Sequence, residues 1–438
     1  MRHAVLRAVV ASYLLAACGH GDATGGAGSS APQTAPPGPA AAAGGSAAAA
    51  PAEPVKPPEP VKPVEPPPPP GHDFTPTAKL LLAVGACGEA PAPPDFPEGL
   101  LKKHCDGVNT AQTDYRDKWV QKARAFFAEK VPKTLPKTVV YPFAGGDLST
   151  ALTVFPDAEE ITTMSLEPAG DPRTLEAMLA PPPEPKRKPA KPHPLLEKAL
   201  GTIQSELRFL YRVNFSNTAN MIAAMRVGQL PTQLVFGLSA LKVHGYEVVS
   251  LRYFRLDPDG AIQYLTDEDV ANAPDPLKGR AAARNELFSN AELRFRRPGG
   301  PIQTYRHIQY NLDDAHLKQD PRVMKHLEAK GTIASMTKAA SYLLSWDSFS
   351  TMRNYLTKHT VWMVSDATGV APRWGKPAGF EYETYGVFTL AHLKEGHGIS
   401  ADWRKEWKAQ TRRELPFRFG YYDDKINNHL VIMKKKTS

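Results

Sequence analysis

Between Thr138 and Leu166 the chain reads as strand, glycine turn, short helix and strand, and no other stretch limits the fold as much. Thr138-Val139-Val140-Tyr141-Pro142-Phe143 is rich in β-branched and aromatic residues and reads as a buried strand. Ala144-Gly145-Gly146-Asp147 breaks it. Leu148 to Phe155 is then expected as a short helix, and Ile161 to Leu166 as a second strand ending at Glu167-Pro168. Such a unit is the local signature of a parallel α/β sheet.

The rest of the chain adds elements of both kinds. Arg116 to Lys130 places Trp119, Ala123 and Phe126-Phe127 on one helical stripe. Asp171 to Ala180 reads as a helix capped by Asp171, with Pro172 at its first position. Helices are expected over Leu195 to Tyr211, Thr218 to Val227 and Thr232 to His244. Strands follow over Glu247 to Leu256, Ala261 to Leu265, Glu292 to Arg297 and Ile302 to Asn311. Asp257-Pro258-Asp259-Gly260 and Arg297-Pro298-Gly299-Gly300 are turn chemistry, so these strands pair as two hairpins. Pro321 to Ala329, Met336 to Leu344 and Phe349 to His359 read as helices, and Val361 to Ser365 as a strand. A helix around Asp402 to Arg413 precedes a terminal hairpin of Phe417 to Tyr421 with His429 to Met433. The expected fold is α/β: a mixed sheet with a Rossmann-like strand-helix-strand unit, added antiparallel hairpins and flanking helices.

In open α/β sheets ligands gather at the carboxyl ends of strands. Asp147, Glu167 and Asp366 are all placed there, so they can meet as a carboxylate cluster, with Arg353 or Arg373 as counter-charge. Such a cluster suits acid-base work or a cation. Taken singly, each acid is more simply a cap or turn residue, and Asp347 is placed to cap the helix holding Arg353. A glycine-rich first loop with an acid after the second strand resembles the nucleotide-binding half of a Rossmann-like methyltransferase. The chain departs from that pattern by lacking G-x-G-x-x-G and by carrying Pro142 before the loop. The favoured reading is therefore a tight turn at Gly145-Gly146, Asp147 as cap, and no cofactor. YPFAGGD, SLEPAG, KAASYLLSWDSFSTMRNYL and VSDATG also resemble segments of a family of exported bacterial proteins with no assigned activity. That resemblance implies one α/β unit from Thr138 to Gly369 and carries over no catalytic residue.

The N-terminus decides location. Arg2 and Arg7 precede an apolar run that closes on Leu15-Ala16-Ala17-Cys18, and this resembles a bacterial lipoprotein signal peptide whose lipid is carried by Cys18. Residues 1–18 are read as that signal, and 19–72 as an Ala/Gly/Ser then Pro-rich tether with almost nothing apolar to bury. Residues 73–438 form a single domain with a Pro/Lys-rich loop at 181–194. With Cys18 lipidated, Cys87 and Cys105 remain as an even pair in an oxidising compartment, and a disulfide is expected in preference to two buried thiols. Two cysteines alone make a poor zinc site, and His392 and His397 do not form H-E-x-x-H, so no metal is expected.

The 53 Lys+Arg against 45 Asp+Glu give a net +8 without a focused patch. No basic-aromatic array or helix-turn-helix argues for nucleic acid. The first expectation is an envelope lipoprotein, periplasmic or surface-facing, lipid-anchored to the membrane through Cys18, whose tethered domain binds a protein or polymer. The alternative is an envelope hydrolase or transferase using the strand-end carboxylates.

Overall fold

The computed structural model describes residues 67–89, 91–93, 96–180, 194–214, 230–278, 286–388, 400–419 and 428–436. All lie in one compact unit, Val64–Ser438. The lipobox, most of the tether, the loop at 181–194 apart from Pro194, the helix expected over Thr218 to Val227, and His392 with His397 lie outside the described residues.

The strands are β1 (Thr138–Pro142), β2 (Glu160–Ser165), β3 (Glu247–Leu256), β4 (Ile262–Tyr264), β5 (Asn290–Arg296), β6 (Gln303–Gln309), β7 (Ile333–Thr337), β8 (Thr360–Ser365), β9 (Phe380–Gly386) and β10 (His429–Lys435). They make one mixed sheet in the order β4-β3-β5-β6-β2-β1-β7-β8-β10-β9. The five central strands, β6-β2-β1-β7-β8, are parallel. On one side β5, β3 and β4 add antiparallel pairs, and on the other β10 lies antiparallel between β8 and β9. Chain order runs outward from β1 to β2 and β6, then reverses to β7 and β8. The switch point of this doubly wound core is the crevice between the carboxyl ends of β1 and β7.

Both faces of the sheet are covered, which is why its strands read as nearly continuous apolar runs. Val139, Tyr141, Ile161, Met336 and Val364 pack on one face with Leu81, Val108, Phe127, Leu152, Leu207 and Leu238. Those partners come from α1 (Thr75–Val84), α2 (Glu98–Tyr115), α3 (Gln121–Lys130), α4 (Leu148–Val154), α5 (Pro194–Val213) and α6 (Thr232–His244). Val140, Met164, Ile308, Met363 and Val431 pack on the other face against α7 (Asp314–Gln319), α8 (Ser350–His359) and the helix Ser400–Ala409. Each fully buried Phe, Leu or Val contributes about 1.5–3 kcal/mol. Cys87 and Cys105, 18 residues apart, are joined as a disulfide that ties the end of α1 to α2.

Several local expectations need correction. Met336 to Leu344 is not a helix: Ile333–Thr337 is the central strand β7, and Ala339–Ser345 follows as a 3-10 turn. Five residues buried on every side carry no periodicity that separates strand from helix, and the left-handed turn at Ala339, φ 53°, separates β7 from the element after it. Among the described residues β10 does not pair with Phe417 to Phe419, and Tyr421 lies outside them. β10 pairs along its length with β9, which the sequence reading omitted, and also with β8. A strand apolar on both faces needs neighbours on both edges, whereas Phe417 and Phe419 use their rings against Phe127. Asp171 does not cap a helix beginning at Pro172: the helix is Thr174–Leu179, and Asp171 is paired with Arg173 at 2.7 Å. Asp347 does not cap α8. Asp314 of α7 does so, accepting from the backbone N–H of Ser350 at 3.1 Å and of Thr351 at 2.9 Å.

Candidate functional site

Asp147 ends the turn after β1 and caps α4, accepting from the Thr150 amide at 3.3 Å and the Thr150 hydroxyl at 2.6 Å. Its other carboxylate oxygen accepts from Tyr141 OH at 3.2 Å and from Lys338 Nζ at 3.0 Å. Lys338 is the first residue after β7, so the pair closes the switch point, with the two residues 2 % exposed each. Lys338 also donates to the Asn214 carbonyl and to Thr150 Oγ1. The Asn214 side-chain amide nitrogen in turn donates to Thr150 Oγ1 at 3.0 Å and to Tyr115 OH at 3.3 Å. Burial pulls the Lys338 ammonium below the ordinary lysine value, and the charges of Asp147 and Asp366 pull against it. Burial first, and Asp147 second, push the Tyr115 and Tyr141 hydroxyls well up, so both remain protonated.

Asp366, directly after β8, is fully enclosed. It accepts from the Ala339 amide at 3.2 Å and from the Thr368 amide at 2.9 Å, with the Thr368 hydroxyl on the same oxygen as the Thr368 amide. It thereby holds the turn that presents Lys338. A Cβ at Gly369 would lie 2.1 Å from Ser365 Oγ and 2.5 Å from Thr337 Oγ1, so only glycine lets this turn close on the ends of β7 and β8.

Two of the three expected acids thus face one cation. Glu167 stands apart after β2. It is fully buried, and neither carboxylate oxygen has a hydrogen-bond partner among the described residues. Its carbonyl accepts from His307 Nε2 at 2.7 Å, and burial holds that imidazole down at about 4. Neither expected arginine is the counter-charge. Arg353 donates to the carbonyls of Leu344 at 2.7 Å and Trp346 at 3.1 Å and lies 4.1 Å over the Trp374 ring, while Arg373 pairs with Asp402. The cation is Lys338, which the sequence hides because it falls inside Met336 to Leu344, the stretch that reads as a helix. The available signal was Ile333-Ala334-Ser335-Met336-Thr337, a strand-length run after Gly331 with a lysine at its carboxyl end.

The glycine turn is closed to ligands by the chain itself. A Cβ at Gly146 would fall 2.1 Å from Phe236 Cδ2, so the ring of α6 occupies the space beside the loop. Gln233, also on α6, donates to the Gly145 carbonyl at 2.7 Å. Backbone open to a pyrophosphate is what such a loop needs for a dinucleotide, and these contacts deny it. His104 lies with Cys87 and Cys105, the one trio of metal-type ligands at coordination distance among the described residues. The disulfide consumes both thiolates, so this trio is not free to hold an ion. No helix among the described residues is long and apolar enough to cross a membrane. Comparison with protein-family models, with curated proteins and with solved structures gives no match.

Proposed function

We propose that the chain is a cell-envelope lipoprotein, anchored through lipid on Cys18, whose doubly wound part is a tethered binding domain that has kept a nucleotide-type scaffold without its ligand. The observation that carries this reading is the filled switch point. The Lys338 ammonium and the Phe236 ring stand where a cofactor of such a scaffold would need open space. Asp147 and Asp366, the acids offered for catalysis, are taken up by capping, turn and ion-pair contacts. Two measurements test it. Labelled palmitate should enter the wild-type chain and not Cys18→Ser, which should leave the membrane fraction. S-adenosylmethionine and dinucleotides should leave the melting temperature of the full chain unchanged. A Cys18→Ser chain that stays labelled and membrane-bound overturns the anchor, and a saturable rise in melting temperature overturns the filled crevice.

Glu167 favours the second reading, an envelope hydrolase or transferase. A buried carboxylate without a partner among the described residues is costly to fold and is the kind of group a site retains for a substrate.

A further inference from the structure

A second cleft opens at the opposite, amino-terminal end of β1. It has a volume of about 520 Å³, within the range of small-molecule sites. Its walls are Phe127, Val131, Leu135, Val139, Val154 and Phe155. Asp157 is the one acid among its described lining residues, against Arg124, Lys133, Lys137 and Arg297. Lys137 is taken by Glu159 at 2.7 Å.

The two arginines are left without a counter-anion among the described residues. Arg124 donates to His244 Nδ1 at 2.6 Å, and its Nε is buried without a partner among the described residues. His244 is a neutral acceptor there, since burial and then the arginine charges hold it down at about 3. Its other ring nitrogen sits 3.0 Å from the Ser149 carbonyl. Arg297 lies over the Tyr246 ring at 5.5 Å and reaches that hydroxyl at 3.4 Å. Burial pulls Arg124 below the ordinary arginine value, and the neighbouring Arg297 charge adds to the effect while Tyr246 opposes it. Two like charges beside one apolar cleft repel each other and leave a buried N–H unmet, a cost that an incoming anion removes.

The planar guanidinium fork matches a carboxylate, and the six apolar side chains match a hydrocarbon tail. A free inorganic anion would satisfy the arginines and leave that wall wet. We propose that this cleft binds a single-chain fatty acid, with its carboxylate on Arg124 and Arg297 and its tail along Phe127, Leu135, Val139 and Phe155. The proposal goes beyond the tethered-domain reading and holds whether or not the chain is lipid-anchored.

The test is calorimetric titration of the full chain carrying Cys18→Ser with hexadecanoate, hexadecanol, acetate and lysophosphatidylglycerol. Hexadecanoate should saturate at one per chain, and the other three should bind at least about ten-fold more weakly. Arg124→Met and Arg297→Met should each weaken hexadecanoate by about ten-fold, and Ala128→Trp, which narrows the cleft from an exposed position, should do the same with unchanged melting. Arg297 is exposed, so its variant keeps the test open if Arg124→Met does not fold. Equal binding of the alcohol, preference for the phosphate head, or indifference to the Arg297 and Ala128 changes each overturns the proposal.

Discussion

Lys338 Nζ lies 3.0 Å from Asp147 Oδ2, and the two side chains, 191 residues apart in sequence, are almost wholly shut off from solvent. Breaking such a pair from one side leaves a lone buried charge, which costs about 3–5 kcal/mol. Lys338→Met and Asp147→Asn should each lose that order of stability in urea unfolding. The double variant should lose clearly less than the sum of the two. Additive losses would mean that the two groups are not coupled.

Glu167→Gln should behave in the opposite way. The amide replaces a buried carboxyl group whose oxygens accept no hydrogen bond among the described residues, and its NH2 adds two donors, so stability should rise by about 1 kcal/mol, within the 1–3 kcal/mol scale of an unmet polar group. Differential scanning calorimetry of the two chains decides it. A lower melting temperature in the variant would show that the carboxylate supports the fold after all.

Acid should weaken the protein well before its carboxylates titrate. Burial holds His244 at about 3, and His307 and His326 at about 4, against an unfolded value near 6.5. The unfolded chain therefore binds protons that the folded chain refuses, and stability falls as pH drops from about 6.5 towards about 4. Together the three histidines set a limit of about 4 kcal/mol per pH unit in that window. Urea unfolding at a series of pH values should show this slope, and His326→Gln should reduce it by about 1.4 kcal/mol per unit. Glu160, held at about 2 by Lys330 and Arg306 against its burial, supports stability above the ordinary glutamate value and loses that support below it, so its effect appears at lower pH than theirs.

The start of α8 offers a sharp comparison between two aspartates. Asp314→Ala should cost about 0.5–2 kcal/mol, because it removes the acceptor for two backbone N–H groups. Asp347→Ala, at an exposed position, should stay within about 0.5 kcal/mol. Equal losses would place the cap where the sequence suggested.

The legible parts of this chain were those with local rules. Glycine turns, proline starts and β-branched runs located β1, β2, α4, α6 and both hairpins, and Asp147 was read correctly as a cap. The paired cysteines became the Cys87–Cys105 bridge. What escaped depended on distant neighbours. β7 and β9 are no shorter than β1, but β7 is buried on every side and so shows no period, and β9 is held as a strand by its pairing with the distant β10. Asp347 and Asp314 are equally good caps by type, and packing of α7 beside α8 chose the second. Lys338 was invisible as a counter-charge because lysine is a surface residue by default, and its partner lies 191 positions away.

The first described residues of the chain lie against β3, β4 and β5. Arg294 holds the Pro67 carbonyl at 3.1 Å, Arg252 holds that of Pro69 at 3.3 Å, and the amides of His72 and Phe74 bond to the carbonyls of Leu265 at 2.7 Å and Leu251 at 3.1 Å. Any tension arriving along the upstream chain is therefore met first by these clamps at the antiparallel end of the sheet. The parallel centre with its Lys338–Asp147 pair lies several strands further in, shielded from the pull as a keel is from the mooring line.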